Sequence, residues 1–164
     1  MIIVGFDPGI ATLGYGVIST DRRCKPQMID YGIVSTPKDE NLAVRLAMLE
    51  KGVKQIIDKF KPEEIAVEEL FFAKNVKTGI NVAHARGVIL LTAIKECGKL
   101  FEYTPLQIKQ ALTGYGRADK NQIQQMVKTT LRLKAIPRPD DAADALAVAL
   151  CHAQTNKLGG LFSI

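Results

Sequence analysis

A chain of 164 residues, 47% hydrophobic and 24% charged, has the size and composition of one ordinary globular domain. Three widely separated cysteines and only two histidines argue against a disulfide framework or a zinc site, so we expect buried thiols. No secretory leader precedes the first predicted strand and no apolar run approaches the length of a membrane span. We therefore expect a single cytoplasmic domain, residues 1–164, with no membrane contact.

The net charge of +5 is concentrated in one segment, residues 105–135, which holds six basic residues and a single acid, Asp119. The basic residues are Lys109, Arg117, Lys120, Lys128, Arg132 and Lys134. A local positive field favours a polyanionic partner such as nucleic acid, although a solvated helix face gives the same pattern.

The amino-terminal third is predicted to form three short strands. Residues 1–6 are mostly apolar and β-branched, and Pro8-Gly9 stops the strand, which places Asp7 at its end. Residues 14–20 form a second strand, whose glycines indicate close approach of another backbone near Asp7. Residues 27–35 alternate apolar and polar side chains, as a half-buried strand does. Short turns between the three strands indicate an antiparallel meander.

The middle of the chain alternates helices and strands. Residues 41–60 carry apolar side chains at spacings of three and four, which predicts an amphipathic helix that ends at Lys61-Pro62. The strand at 64–68 follows this helix, so a right-handed crossover would place it parallel to the first strand, with Glu68 beside Asp7. Helices at 76–97, 106–112 and 120–131 and a strand at 99–103 follow. This pattern predicts an α/β domain with a five-stranded mixed sheet flanked by helices.

The last predicted helix begins at Asp140 and is apolar on nearly every side through residue 150, so we expect it to be buried. Asp140 and Asp141 fit an N-cap and a first-turn acid. Asp144 fits neither role, because it lies a turn inside the helix, three residues from Asp141 and on the same face. An unpaired charge at such a position is costly.

Four carboxylates are therefore expected at one edge of the sheet: Asp7, Glu68, Asp141 and Asp144. Their mutual repulsion requires cations, and an all-oxygen ligand set favours Mg²⁺ or Mn²⁺. Two such ions about 3.5 to 4 Å apart can promote phosphodiester hydrolysis. Each acid taken alone also fits a cap or a surface charge, so the spacing by itself leaves both interpretations open.

Seven motifs, in order along nearly the whole chain, resemble the RuvC family of bacterial Holliday junction resolvases. They are Gly5-Phe6-Asp7-Pro8-Gly9, Gly14-Tyr15-Gly16, Val67-Glu68, Phe71-Phe72-Ala73-Lys74-Asn75, Ala85-Arg86-Gly87, Gln107-Ile108-Lys109-Gln110 and Asp141-Ala142-Ala143-Asp144-Ala145-Leu146-Ala147. The resemblance implies an RNase H-like fold and a homodimer that makes paired symmetric nicks in a four-way DNA junction. It also implies the RuvAB branch-migration complex as a partner.

The resemblance assigns roles to individual residues. The implied catalytic acids, which would hold two Mg²⁺ ions per active site with Mn²⁺ as a substitute, are Asp7, Glu68, Asp141 and Asp144. Glu69 and Asp140 stand directly beside two of them, and some members of the family have His at the position of Asp141. We also expect the homodimer to use the apolar helix at 76–97.

For DNA binding, the resemblance implies that Phe71 stacks on a base opened at the crossover and that Lys109 and Lys120 hold phosphates. Core packing of Phe71 or Phe72, and solvated lysines, are the alternatives. Two other functions compete with resolution. One is a junction-binding module without catalysis, and the other is a fragment of an actin-like or sugar-kinase-type ATPase, whose fold shares the strand-Asp-Gly opening.

Overall fold

The structure is a computed structural model that describes residues 1–21, 25–70 and 76–155, with only the backbone described for 76–78. Within these ranges the strands are β1 (Ile2–Asp7), β2 (Thr12–Thr20), β3 (Pro26–Ser35), β4 (Glu64–Glu68) and β5 (Leu100–Tyr103). The helices are α1 (Leu42–Phe60), α2 (Val76–Glu96), α3 (Pro105–Thr113), α4 (Lys120–Thr130) and α5 (Asp140–Thr155). The predicted order of elements is confirmed, and the largest difference is that α5 continues past residue 150 to Thr155.

The strands form one sheet in the order β3-β2-β1-β4-β5. The pairs β1-β2 and β2-β3 are antiparallel, whereas β1-β4 and β4-β5 are parallel. The central strand β1 is covered on both faces, which explains why residues 2–6 are apolar or glycine without alternation. The predicted five-stranded mixed sheet flanked by helices is confirmed.

Each face of the sheet has its own hydrophobic core. Ile3 and Ala66 belong to the core with α3, α4 and α5. Their chain neighbours Val4 and Ile65 belong to the core with α1 and α2. Because successive side chains on a strand point to opposite faces, the same two strands supply both cores. The edge of the sheet at the carboxyl ends of β1 and β4 is left for polar residues.

Helix α5 packs directly against the backbone of the sheet. A Cβ atom at Gly5 would lie 2.3 Å from the Ala145 carbonyl oxygen, and one at Gly14 would lie 2.0 Å from the Asp141 carbonyl oxygen. Only glycine fits at such separations. The predicted close approach near Asp7 is confirmed, and it brings the first turn of α5 to the end of β1.

Two further expectations concern the cysteines and the helices. Cys151 is buried, whereas Cys97 is only half-buried because it lies just beyond the end of α2. Cys24 lies outside the described residues. Among the described helices, none combines the length and the apolar character needed to cross a membrane.

Candidate active site

Two acids meet at the carboxyl ends of neighbouring parallel strands. Asp7 is the last residue of β1, and Glu68 is the last residue of β4. The register pairs Phe6 with Val67, so the next residue on each strand lies beside the other. The two carboxyl groups share a hydrogen bond. The crossover through α1 thus produces the proximity that the sequence predicted.

Helix α5 adds two more acids to this edge of the sheet. Carboxylate oxygens of Asp7, Asp141 and Asp144 all lie within 4.8 Å of one another. Glu68 joins this group through its hydrogen bond with Asp7. The structure therefore brings together the four acids named from the sequence, and their catalytic role remains a prediction.

Burial and mutual repulsion change the acidity of this cluster. Burial, followed by the charges of Glu68 and Asp144, raises the pKa of Asp7 to about 8. Burial also raises the pKa of Glu68 and the pKa of Asp144. The hydrogen bond between the two groups adds to the rise for Asp7 and opposes the rise for Glu68. Full ionisation of the cluster near neutral pH needs added positive charge.

The acids open onto a cleft of about 240 Å³. Its polar lining includes Asp7, Glu68, Lys109, Lys120 and Asp144, and its apolar walls are Pro105, Ile108, Ile123 and Ala147. Apolar walls lower the local dielectric constant, which strengthens electrostatic interactions inside the cleft. A phosphate that enters the cleft would meet both the lysines and the acids.

Lys120 makes the closest basic contact with the acids. It is the first residue of α4, and a capping box between Asp119 and Gln122 fixes the start of that helix. Its Nζ donates a hydrogen bond to Asp144 Oδ2 at 2.9 Å and lies 3.5 Å from Asp140 Oδ2. Lys120 therefore neutralises part of the charge of the α5 acids.

Lys109 approaches the acids from α3. Thr104 caps this helix in a capping box with Gln107, and Gly114 ends it in a left-handed conformation with a φ of 82°. The fixed helix places Lys109 on the wall of the cleft, where its charge offsets part of the rise that burial causes in the pKa of Glu68. The cleft thus has a second basic side chain, on a different helix from Lys120.

The donor set fits a divalent cation. The clustered donors of Asp7, Asp141 and Asp144 are carboxylate oxygens, which hard ions such as Mg²⁺ and Mn²⁺ prefer. Burial and the charges of the neighbouring acids raise the pKa of Asp7, so a bound cation would favour its ionised form. These three residues, with Glu68 beside them, are the ones that would hold a metal ion.

A comparison with protein families identifies the relatives of this chain. The family model described as crossover junction endodeoxyribonuclease RuvC matches residues 3–152. The chain belongs to the RuvC family. The matched range includes all four acids and both lysines of the cleft, and it favours the nuclease interpretation over an ATPase fragment.

Individual RuvC proteins are similar over their full length. RuvC of Clostridioides difficile (strain 630) is 54% identical over 158 residues, which cover 96% of this chain and 93% of that protein. RuvC of Alkaliphilus oremlandii (strain OhILAs) is 51% identical over 164 residues, which cover 100% of this chain and 99% of that protein. The chain is therefore similar to whole RuvC proteins and not to one segment of them.

Solved structures support the same relationship. The structure of Thermus thermophilus RuvC in complex with a Holliday junction substrate has a TM-score of 0.93 at 36% identity, covering 100% of this chain and 99% of that one. The yeast mitochondrial Holliday junction resolvase Ydc2 has a TM-score of 0.67 at 15% identity, covers 93% of this chain and 78% of that one, and shares the fold alone. The expected RNase H-like fold is confirmed.

The DNA-binding residues implied by the RuvC resemblance are only partly visible. Lys109 and Lys120 both line the acidic cleft. Phe71 and Phe72 lie outside the described residues, so nothing in the structure distinguishes base stacking from core packing. DNA binding by Phe71, Lys109 and Lys120 remains a prediction.

One contact of the site was not predicted from the sequence. Asp140 was expected as an N-cap, but α5 begins at this residue, so Asp140 lies in the first turn. Its carboxylate forms ion pairs with Lys120 and Arg138. The spacing of four residues to Asp144 puts both acids on one helix face, and this signal could have shown that one cation would contact both.

Proposed function

We propose that this protein resolves four-way (Holliday) DNA junctions in recombination and repair, as a metal-dependent endonuclease that makes paired symmetric nicks. The observation that carries the proposal is the cleft in which acids from β1, β4 and α5 meet two lysines. Membership of the RuvC family supports it, as does the similarity to a RuvC structure in complex with a Holliday junction.

The proposed chemistry divides the work between the acids and the lysines. Two Mg²⁺ ions, for which Mn²⁺ can substitute, would activate a water and stabilise the leaving oxygen of an in-line displacement. Asp7, Glu68, Asp141 and Asp144 would hold these ions. Lys109 and Lys120 bind phosphate oxygens and thereby fix the backbone of the strand in the cleft. The cut would leave ligatable 5′-phosphate and 3′-hydroxyl ends.

Two symmetric nicks require two active sites, so we propose a homodimer that associates through α2. Three apolar side chains of this helix are strongly exposed: Ile80 at 51%, Leu91 at 54% and Ile94 at 48%. Their spacings of eleven and three residues keep them on one side of the helix. Clustered apolar exposure of this kind marks an interaction surface.

Sedimentation velocity at micromolar concentration tests the dimer. Leu91→Glu should give monomers and lose paired nicking, whereas Val44→Glu, at an apolar residue 40% exposed on α1, should leave the dimer intact. A wild-type monomer that retains full cleavage would contradict the proposed dimer.

The proposal also covers base stacking by Phe71, a partner complex and the extent of the nuclease domain. Phe71 stacks on a base opened at the crossover, an interaction worth about 1 to 3 kcal/mol. The RuvAB branch-migration complex delivers the junction in the cytoplasm, and residues 1–164 form a single nuclease domain.

A single set of incubations tests the function. A labelled four-way junction and a linear duplex of matching sequence are each incubated with the protein in Mg²⁺ or in EDTA. We expect paired nicks in the junction only, and only with Mg²⁺. Equal cleavage of the duplex would indicate a general nuclease. Binding of the junction without cleavage in Mg²⁺ would indicate a module without catalysis.

A further inference from the structure

The side chain of Lys120 places a positive charge beside the acidic cluster. Its Nζ lies 2.9 Å from Asp144 Oδ2 and 3.5 Å from Asp140 Oδ2. Asp144 also contributes one of the three carboxylate oxygens that lie within 4.8 Å of one another. A divalent cation held by these three acids would therefore share the Asp144 carboxylate with the ammonium of Lys120.

We propose that Lys120 is an exchangeable counter-ion of the active site. In the metal-free protein its ammonium holds Asp144. When a divalent cation takes that carboxylate, Lys120 is released to bind a DNA phosphate in the cleft. This inference rests on the proposed function, because it assumes that the four acids bind metal and that the cleft binds DNA.

The position of Lys120 allows this exchange. Its backbone is fixed at the start of α4 by the Asp119 cap, but its side chain is 53% exposed and carries the ammonium on a flexible four-carbon stem. The ammonium can therefore move without any change in the helix. A divalent ion also carries twice the charge of the ammonium, so it should displace Lys120 from the Asp144 carboxylate.

Lys109 shows what distinguishes Lys120. Both lysines line the same cleft. Within the described part of the chain, however, Lys109 forms no ion pair, whereas Lys120 pairs with two acids of α5. A general positive field in the cleft would make the two lysines equivalent toward metal. Direct competition for Asp144 is specific to Lys120.

The exchange also links metal binding to DNA binding. A lysine released by metal contributes to DNA affinity only when metal is present. Because coupling between two ligands is reciprocal, bound DNA should then raise metal affinity by the same factor. Loss of Lys120 should weaken this coupling, whereas loss of Lys109 should lower DNA affinity equally with and without metal.

Calorimetric titration of Mn²⁺ into the full-length metal-free protein, without DNA, tests the competition. Lys120→Gln should bind Mn²⁺ about two- to fivefold more tightly than the wild type, as removal of a competing, partly exposed ion pair predicts. Lys109→Gln should change the affinity by less than about twofold. The rise in melting temperature at a fixed Mn²⁺ concentration provides a second readout, and the melting temperature in EDTA confirms that each variant is folded.

The outcomes separate this inference from the proposed function. Tighter Mn²⁺ binding by Lys120→Gln alone supports the exchange. Equal effects of the two substitutions, or weaker binding by Lys120→Gln, overturn it while the metal site and the nuclease activity stand. If the wild type binds no Mn²⁺ and cuts no junction, the proposed function itself is wrong and the exchange falls with it.

Discussion

Helix α5 carries two polar clusters, one at each end, and they differ in whether their polar groups find sufficient partners within the protein. At its start, Asp141 and Asp144 lie beside Asp7, and Lys120 pairs with Asp144. Near its end, His152 is 1% exposed. Its Nδ1 lies 2.7 Å from the Tyr103 hydroxyl, and its Nε2 lies 2.7 Å from Glu64 Oε2. A neutral imidazole satisfies this arrangement by accepting from Tyr103 and donating to Glu64.

Strand β4 joins the two clusters. Glu64 begins the strand and Glu68 ends it, and their even spacing puts both on the α5 face of the sheet. Glu64 meets a histidine and, at 3.7 Å, Lys99. Glu68 instead meets further acids, and its pKa is raised. The two glutamates share a strand and a face, so the elements packed against them decide their environments.

The difference shows where function is located. Buried polar groups that find internal partners stabilise one arrangement of the core. Buried acids without sufficient counter-charge destabilise the fold unless a bound cation neutralises them. The His152 cluster is thus expected to support the fold, and the Asp7 cluster to bind a cation. The two ends should respond differently to substitution, to pH and to salt.

The largest effect is expected from Asp7→Asn, which removes the carboxylate that β1 contributes to the acid cluster beside the start of α5. Mg²⁺-dependent junction cleavage should fall by more than about a hundredfold, because loss of a mere outer-shell partner of a metal already costs 10- to 100-fold. Junction affinity in EDTA should stay level near pH 7, where the raised pKa keeps Asp7 mostly protonated, and should rise slightly above pH 8, where the wild-type carboxylate is ionised. Gel-based cleavage and binding assays measure both. Near-normal cleavage by the folded variant would mean that Asp7 is a structural acid.

At the other end of α5, His152→Leu should act on stability. We expect the free energy of unfolding to fall by about 2 to 4 kcal/mol, because the change removes two buried hydrogen bonds. Urea denaturation measures this loss, and cleavage should persist at temperatures where the variant is folded. Lys51→Leu, at an exposed position on α1, is the control and should change stability by less than about 0.5 kcal/mol. Equal losses of unfolding free energy in the two variants would show that the His152 cluster does not stabilise the fold.

The two ends should give the metal-free protein opposite dependences on pH. Because the pKa of Asp7 is raised from 3.8 to about 8, its contribution to stability is fully present below 3.8 and is lost as pH rises through about 8. Burial lowers the pKa of His152 from 6.5, so its contribution is present above 6.5 and declines as pH falls below that value. Urea denaturation in EDTA between pH 5 and 9 measures both.

Two variants identify the group responsible for each part of this pH profile. Asp7→Asn should remove the loss of stability with rising pH, and His152→Leu should remove the loss of stability with falling pH. Mg²⁺ should also reduce the loss of stability with rising pH, since metal binding requires ionised carboxylates. If this loss persists in Asp7→Asn, a group other than Asp7 causes it.

The smallest effect is expected from Lys109→Ala, which changes the basic side of the cleft. Junction affinity should fall, and the slope of log affinity against log salt should decrease by up to about one unit, because one phosphate contact is lost. Fluorescence anisotropy over a salt series measures the slope. Lys51→Ala removes the same charge from α1, on the opposite face of the sheet, and should leave the slope unchanged. An unchanged slope for Lys109→Ala would make this lysine a solvated surface residue.

Much of the fold was determined by local sequence patterns. The apolar run at residues 1–6 predicted the strand β1, and the three-four spacing from Leu42 to Phe60 predicted α1 within one residue. Asp144 was recognisable because a charge inside an apolar helix is costly without a partner. Such patterns report which face of an element is buried, and this information is present in short segments of chain.

Only the tertiary structure decided the contacts between the elements. Glu64 and His152 are 88 residues apart in the sequence, and no local spacing indicates that they share a hydrogen bond. The pairing of Lys120 with Asp144 likewise depends on how α4 and α5 dock. The position of α5 itself depends on Gly5 and Gly14, which let the helix reach the backbone of the sheet. Periodicity predicts that a face is buried, but the polar partner of a buried charge is fixed only when two distant segments pack together.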